Sequence, residues 1–386
     1  MNLRKKKQPA PEPAIPPGPV DWWLLALLLL LLCVGLVAVL SASGPISQRT
    51  YDESYHFFHR QLQTMLLGGV IVALLCWLPR SFINRLHYWG IAVVMVLLVL
   101  CLLIGPKING AQRWLDFHFM MVQPMEFARI ALVMYLAYFM SSKQAMIREF
   151  SRGLLPPTLI TLLMCLLLVL QPDLGGTIIM LAILFFMCLG GGTRGGYLVM
   201  VLILAAVLVV ALIIVEPYRW ARWTAYLEPF ANAQGSGYQI VQSLLALGSG
   251  GIFGVGLGGS IQKTVYLPEA HNDFIMAVLA EELGFVGITV VMLLFGLLFW
   301  RCYRIIMRQT ELRDRLTAFG LTVILAMGAV MNLAVVMGVA PPKGVPMPLM
   351  SYGGSNLMAT MLCVGLLMNF SRTATGKEGS IWKESS

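Results

Sequence analysis

Four polar residues lie immediately before a long apolar run in the segment Tyr266–Gly284. They are Glu269, His271, Asn272 and Asp273, and the apolar run follows them without a linker to about residue 300. Ionisable groups are costly in lipid, so beside a membrane span they tend to mark a substrate path or a reaction centre. This segment is therefore the first candidate for chemistry.

Three roles are open for Asp273 on chemistry alone. An aspartate is a preferred N-cap residue, and it also gains from the helix dipole, so capping of the following helix is the favoured role. Asp273 could instead act as a general base with a pKa raised by burial, although the helix dipole would oppose that shift. Metal binding with Glu269 and His271 is the third role, but their spacing matches no familiar ligand pattern.

A pair of opposite charges lies at the start of another apolar run. Glu126 and Arg129 are three residues apart, hence on one helix face and able to pair, and Pro124 suits the first turn of that helix. Inside an apolar span such a pair must face protein or a wet cavity. It either fixes helix packing or lines a substrate cavity, and the sequence leaves both open.

The elements that must position these residues are membrane helices. Of 386 residues, 58% are hydrophobic and only 12% are charged, which excludes an ordinary soluble domain. Because an open sheet cannot satisfy its backbone in lipid, the apolar runs predict an all-α, polytopic integral membrane protein. Ten spans are predicted, near 22–43, 61–78, 87–104, 124–140, 154–171, 174–190, 197–215, 274–300, 316–339 and 355–370.

The distribution of basic residues predicts the orientation. Most of the 27 Lys and Arg residues fall in segments that are cytoplasmic if both termini are inside, so the charge bias favours N-in, C-in. The same bias explains the net charge of +9 without nucleic acid as a partner. We expect a disordered cytoplasmic tail at 1–20, a membrane domain at 21–372 and a cytoplasmic tail at 373–386. The largest extracytoplasmic loop is 216–273, between spans 7 and 8.

The loops on the outer face have distinct patterns. Tyr238–Leu247 has the spacing of a short amphipathic helix. The glycine-rich run 248–259 lacks the Lys-Ser/Thr pair of a phosphate loop, so tight turns or close backbone approach are expected there. The aromatic and basic residues in 218–223 form either an interfacial belt or a site for an anionic headgroup. Ser355 or Asn356 is expected to cap the last span.

Taken together, these segments resemble the SEDS family (shape, elongation, division, sporulation) over about residues 20–372. The motifs are NGAQRWL (109–115), QPMEFAR (123–129), QPDLGG (171–176), PYRWAR and LEP within 217–229, GSGYQIVQS (235–243), VYLPEAHNDF (265–274), AEELG (280–284) and PLMSYGGSN (348–356). PPKG around Lys343 is more similar to the division branch than to the elongation branch. Asn272 and Asn356 depart from the usual Thr and Ser, but both keep a small polar side chain.

The resemblance implies a peptidoglycan glycosyltransferase. Such enzymes join lipid II, a disaccharide-pentapeptide on undecaprenyl diphosphate, into glycan strands at the outer face of the bacterial inner membrane. For the division branch the expected place is the septum, and the expected partners are a class B penicillin-binding protein transpeptidase of the FtsI type, other division proteins and membrane lipids. Asp273 takes the position of the family's essential aspartate, so the resemblance favours a catalytic base over a helix cap as its role.

The reaction implied in this way defines further site residues. The acceptor hydroxyl must lose a proton, and the leaving diphosphate needs positive charge or a metal. No cofactor is certain, and a divalent cation, Mg²⁺ or Mn²⁺, is an open expectation. The candidate substrate-binding residues are Arg113, Glu126, Arg129, Arg219, Arg222, Lys263, Glu269, His271, Lys343 and Ser355. The alternatives are a lipid II flippase, the elongation-type polymerase of the same family and a structural scaffold.

Overall fold

The computed structural model describes residues 18–108, 110–117, 120–235, 237–263 and 267–381, with the backbone alone for residue 218 and for 373–381. Residues 1–17 of the predicted tail 1–20 and residues 382–386 of the predicted tail 373–386 lie outside the described residues. At the C-terminal end the last helix continues to Ile381, beyond the predicted domain boundary at residue 372.

The described residues form twelve α-helices and one small hairpin. The helices are α1 (Trp22–Tyr51), α2 (His56–Trp77), α3 (Arg80–Ile104), α4 (Pro124–Ser142), α5 (Leu155–Leu170), α6 (Leu174–Gly191), α7 (Gly195–Val215), α8 (Pro217–Leu227), α9 (Tyr238–Gly250), α10 (Ile275–Arg308), α11 (Leu312–Val336) and α12 (Gly354–Ile381). The antiparallel strands β1 (Leu115–Asp116) and β2 (Met121–Val122) precede α4, with Leu115 paired to Val122. A 3₁₀ turn (Gln144–Met146) and a π turn (Phe150–Leu154) join α4 to α5.

The all-α prediction is confirmed, and the ten predicted spans coincide with α1–α7 and α10–α12. Among the described residues, nine helical segments have the length and hydropathy to cross a membrane. The tenth is α4, which has 19 residues and carries Glu126 and Arg129, so it falls outside that group. The count of ten and the N-in, C-in orientation stay predictions.

Two predicted loops contain more helix than expected. The helix α1 continues to Tyr51, and α2 begins at His56, so the loop between the first two predicted spans, 44–60, is reduced to the turn 52–55. The predicted loop 216–273 contains α8, which the sequence did not indicate, and α9, which confirms the helix expected at Tyr238–Leu247. Side chains of α9 are buried against α10 and α11, and the hydroxyl of Ser243 donates to the carbonyl of Val336 at 2.8 Å.

The helix α12 lies at the centre of the bundle, since most of its residues from Gly354 to Arg372 are buried. It packs against α2, α4, α10 and α11. Small residues permit the closest of these approaches, because a methyl group on Gly68 would clash with Met361 and one on Gly365 would lie 3.1 Å from the Cα of Val72. The loop 340–353, which precedes α12, is thereby held at the end of the bundle where Asp273 lies.

The helix α10 is broken at Gly284, whose φ of +65° and ψ of −166° are not helical. The glycine-rich loop 251–259 lies against this break. Backbone N–H groups of Val255 and Gly256 donate to the carbonyls of Glu281 and Glu282, each at 3.0 Å. A methyl group on Gly254 would clash with the carbonyl of Glu282, so the close backbone approach expected for this loop is confirmed.

Candidate active site

Asp273 lies one residue before the N-cap position of α10 and is bound to the loop 340–353. The N-cap residue is Phe274, and no side chain caps the helix there, so the capping role predicted for Asp273 is wrong. The side-chain amide of Asn332 donates to the carbonyl of Asp273 at 2.7 Å and to that of Val345 at 2.9 Å. Oδ2 of Asp273 faces Gly344, where a Cβ would lie 3.1 Å from it.

The pKa of Asp273 is raised from 3.8 to about 7. Burial is the largest cause, the nearby carboxylate of Glu269 raises the pKa further, and Arg222 opposes the shift. Burial, the effect that the sequence set against the helix dipole, is thus the largest cause of the shift in the pKa of Asp273. A carboxylate with a pKa near neutrality suits a general base, because it is basic enough to accept a proton while a large fraction of it is still ionised at working pH.

His271 belongs to an aromatic cluster beside Asp273. Its ring centroid lies 4.8 Å from that of Phe57 and 5.5 Å from that of Tyr352, and the N–H of Tyr352 donates to its carbonyl at 3.0 Å. Burial lowers the pKa of His271, with Glu269 acting in the opposite direction. Among the described residues, no group of three or more His, Cys, Asp or Glu side chains could hold a metal ion. Metal binding by Glu269, His271 and Asp273 therefore finds no support.

Four of the predicted basic residues line one cavity of about 450 Å³: Arg113, Arg219, Arg222 and Lys343. Asp273 is connected to this cavity through Arg222, whose charge acts on its carboxylate, and through Gly344, the residue after Lys343. Each arginine is held by a backbone carbonyl. Arg113 donates to Pro172, Arg219 Nη1 donates to Leu212 at 2.9 Å, and Arg222 Nη1 donates to Pro342 at 3.4 Å. Asp173 and Glu216 also line the cavity, which leaves it with an excess of positive charge.

Lys343 lies where the polar cavity meets an apolar groove. The groove, of about 610 Å³, runs between α6 and α7 and is lined almost wholly by apolar side chains. Lys343, Trp223 and Ile213 line both spaces. Burial lowers the pKa of Lys343 to about 8, so the ammonium form still predominates at neutral pH. The arrangement suits an amphiphile with an anionic head and a long apolar tail.

Glu126 and Arg129 form the predicted ion pair, and both are buried. Arg129 Nη2 also donates to Asn356 Oδ1 at 3.1 Å, which ties α4 to α12. The pair lines a small cavity of about 30 Å³ that Arg113 and Lys343 line as well. The two roles left open for the pair, fixing helix packing and lining a cavity, are thus compatible, since it joins α4 to α12 and also borders the site.

Lys263 and Ser355, like Glu269 and His271, lie outside the cavities. The ammonium of Lys263 lies 2.5 Å from a carboxylate oxygen of Glu282. The hydroxyl of Ser355 accepts from the N–H of Gln123 at 2.9 Å and donates to the carbonyl of Met121 at 3.2 Å. Ser355 therefore joins the hairpin to α12 rather than capping α12, and neither residue lines the three cavities described above.

Asp173 is a site residue that the sequence reading missed. Its Oδ1 caps α6 by accepting from the N–H of Gly176 at 3.0 Å, while its buried Oδ2 makes no hydrogen bond within the protein. It lines the 450 Å³ cavity and the small cavity beside Glu126. Its position in QPDLGG at a span boundary was the available signal, because an acidic residue there must cap a helix or face a polar space.

The arrangement described so far defines a polytopic membrane protein with a carboxylate of raised pKa beside a cationic cavity and an apolar groove. Its sequence matches the family described as cell cycle protein, which takes in FtsW, RodA and SpoVE, over residues 21–376. The chain belongs to this family.

Named relatives and solved structures agree with the family. The chain is 41% identical to "Probable peptidoglycan glycosyltransferase FtsW" of Thioalkalivibrio sp. (strain K90mix), over 92% of this chain and 90% of that protein. It is 38% identical to "Stage V sporulation protein E" of Bacillus subtilis (strain 168), over 91% of this chain and 97% of that one.

Two solved structures share the fold. One chain comes from a structure described as "Structural coordination of polymerization and crosslinking by a peptidoglycan synthase complex". It matches with a TM-score of 0.77 and 29% identity, over 92% of this chain and 98% of that chain. The rod shape determining protein RodA of Thermus thermophilus matches with a TM-score of 0.68 and 30% identity, over 92% and 97% of the two chains.

Proposed function

We propose that this protein is a peptidoglycan glycosyltransferase of the division type, which polymerises lipid II into glycan strands. The observation that carries the proposal is the position of Asp273, whose carboxylate faces Gly344 beside the cationic cavity. The names of its relatives support the same reaction, since several are called probable peptidoglycan glycosyltransferases.

The substrate would be divided between two spaces. The diphosphate of an undecaprenyl-linked sugar fits the 450 Å³ cavity, where Lys343 and three arginines offer donors and positive charge. The lipid chain fits the apolar groove between α6 and α7, which Lys343 also lines. A soluble sugar nucleotide has no apolar chain to occupy that groove, so a lipid-linked donor is favoured.

Asp273 would act as the general base. Its carboxylate takes the proton from the 4-hydroxyl of the acceptor sugar while that oxygen attacks the anomeric carbon of the donor. The bond between the anomeric carbon and the phosphate oxygen breaks, and the diphosphate leaves with the bonding electron pair. Because attack and departure occur on opposite faces, the configuration inverts. Lys343 and the arginines would stabilise the charge that develops on the leaving group.

A divalent cation, Mg²⁺ or Mn²⁺, stays a prediction. The described residues offer no set of three protein ligands for one, so any such ion would depend on the oxygens of the substrate diphosphate.

The setting of the reaction is also a proposal. A related chain occurs in a peptidoglycan synthase complex that couples polymerisation to crosslinking. We expect this protein to work with a class B penicillin-binding protein transpeptidase of the FtsI type and other division proteins. The expected place is the septal inner membrane, with Asp273 on its outer face.

The test is polymerisation of labelled lipid II by the purified full chain with its crosslinking partner. The wild type should produce glycan ladders, and Asp273→Asn should produce none while it folds and still binds the partner. Ladders at the normal rate from Asp273→Asn would refute the base assignment. Movement of lipid II across the bilayer by the wild type, without any polymer, would indicate a flippase instead.

A further inference from the structure

A cluster of buried polar side chains lies where α10 is broken, away from the cavities described above. The buried ionic cluster consists of Ser41, Ser260, Lys263, Glu281 and Glu282. All but Ser41 are at most 8% exposed. Charged groups at this depth carry a large desolvation cost, and a buried ion pair often adds little to stability compared with apolar packing. The cluster therefore calls for an explanation other than stability.

Both glutamates are fully engaged. Glu282 accepts from the hydroxyl of Ser41 at 2.7 and 2.8 Å and from the ammonium of Lys263 at 2.5 Å. Glu281 accepts from the hydroxyl of Ser260 and from the backbone N–H of Ile261 at 3.1 Å. The two carboxylates thus join the end of segment 275–283 to α1 on one side and to the returning chain 260–263 on the other.

Because α10 is broken at Gly284, these contacts affect the direction in which segment 275–283 runs. Beyond the break, the N–H of Phe285 donates to the carbonyl of Gly251 at 2.9 Å and that of Val286 donates to Ile252 at 3.1 Å. The glycine-rich loop thereby takes over hydrogen bonds that would otherwise continue the helix. Segment 275–283 has only nine residues, too few for a stable helix by itself, so its direction depends on what holds its ends.

Asp273 lies at the opposite end of that short segment. The nine residues of segment 275–283 span about 14 Å at 1.5 Å per residue. A tilt of about 5° at the break would move Asp273 by about 1 Å, and a displacement of that size can lower a rate by about 10²-fold.

We propose that the buried ionic cluster positions Asp273 by fixing the direction of segment 275–283. Lys263, Glu281 and Glu282 are then positioning residues that touch no substrate. The inference rests on the proposed function, because it assigns them the placement of the catalytic base. It also gives Lys263, which lies outside the cavities, a role other than diphosphate binding.

A shift of this segment would alter the surroundings of Asp273. The charged and titratable groups near it are Glu269 and His271 on its own segment and Arg222 on α8, and Lys343 precedes Gly344, which faces the carboxylate. Moving the carboxylate relative to Arg222 and Lys343 changes how strongly its charged form is stabilised. A positioning role therefore predicts a change in the pH dependence of the reaction, which a loss of stability alone would not produce.

The experiment compares Lys263→Met, Glu282→Gln, their double variant and Lys263→Arg in the full chain with its crosslinking partner. Lipid II polymerisation is measured from roughly pH 5 to 9, the range that contains the limbs of an acid–base reaction. In the single variants kcat should fall on the order of 10- to 100-fold, while KM stays within about twofold of the wild-type value. The acid limb, which is the part of the pH–rate profile below the optimum, should move to a different pH. The double variant should be less impaired than Lys263→Met, because no unpaired buried charge remains. Lys263→Arg should retain most activity.

The ion pair between Arg301 and Asp21 is the matched control at the far end of α10. Arg301 Nε lies 3.0 and 2.7 Å from the two carboxylate oxygens, and both side chains are largely buried. Arg301→Met, alone and with Asp21→Asn, should lower Tm without moving the acid limb. Cluster variants that lower Tm but keep the wild-type acid limb would overturn the positioning role.

Hydrogen exchange supplies a readout that needs no activity. Amides of 275–283 should exchange faster in Lys263→Met than in the wild type, whereas Arg301→Met should leave them unchanged. Unchanged exchange in Lys263→Met would overturn the inference whether or not the protein makes glycan. Failure of the wild type to polymerise lipid II would instead count against the proposed function alone.

Discussion

Oδ2 of Asp273 lies against Gly344, so closely that a methyl group on that glycine would come within 3.1 Å of the carboxylate. Among the described groups outside the membrane spans, Asp273 is the only carboxylate whose pKa is strongly raised. The contact with Gly344 places it next to the loop that also carries Lys343. Glycine has a second reason to occur at this position, because its φ of +66° is one that side chains rarely adopt.

Gly344→Ala should therefore reduce polymerisation strongly. The added methyl group must displace either the loop or Asp273, and a shift of about 1 Å can cost about 10²-fold in rate. Gly338→Ala is the matched control, since its φ of +67° imposes a similar backbone strain while its nearest contacts, at 3.5 Å, are side chains of Ile240 and Leu244. Equal losses in the two variants, measured as ladder formation at equal folded concentration, would show that strain alone accounts for the effect.

The reaction should depend on pH through Asp273. A base with a pKa of about 7 is protonated, and therefore inactive, below that value. We expect kcat/KM to fall about tenfold per pH unit below about pH 6.5 and to level off above neutrality. The measurement is the initial rate of lipid II consumption across the pH range at constant ionic strength. A profile that stays flat down to about pH 5 would exclude this base.

Asp273→Asn should make the folded protein more stable at alkaline pH. The folded-state pKa of about 7 lies above the ordinary 3.8, so the stability that the protonated carboxyl contributes is fully present below pH 3.8 and is lost as pH rises through about 7. Asparagine cannot ionise and keeps that contribution. In thermal denaturation, the Tm advantage of the variant should grow between about pH 4 and 7 and stay constant above. A variant less stable than the wild type at pH 8 would contradict the burial of this group.

Lys343→Gln should weaken substrate binding. Removing one ammonium from the cavity should raise KM for lipid II about tenfold, the loss of roughly 1.4 kcal/mol expected for a charge-assisted hydrogen bond. Lys343→Arg should retain part of the affinity. Lys107 provides the control, because it is exposed and lines none of the three cavities described here. If Lys107→Gln raises KM equally, the effect of Lys343 is general electrostatic attraction.

Exchanging the charges of Glu126 and Arg129 should not restore activity. Each single change leaves a buried charge without its partner and should impair folding or activity. In the exchanged double variant, the new glutamate at position 129 would face Oδ1 of Asn356, which accepts from Arg129 in the wild type. Polymerisation assays on the two single variants and the double variant test this point. Full recovery in the double variant would show that the pair acts only as an internal link.

Local features of this protein were predictable from its sequence. Apolar runs of span length define helices because lipid leaves the backbone no other partner, and all ten predicted spans coincide with helices. The pairing of Glu126 with Arg129 followed from their spacing on one helix face. The motifs around Asp273 indicated the family because their order along the chain is itself sequence information.

Only the tertiary structure decided which distant residues meet. Arg113, Arg222 and Lys343 belong to three separate segments, and the packing of the bundle brings them to one cavity, whereas the equally basic Lys263 pairs with Glu282. The break at Gly284 could not be predicted from the sequence either, because an uninterrupted apolar run predicts one continuous helix. Spacing along a chain determines contacts within one helix, but contacts between helices depend on which faces pack, and that depends on the whole bundle at once.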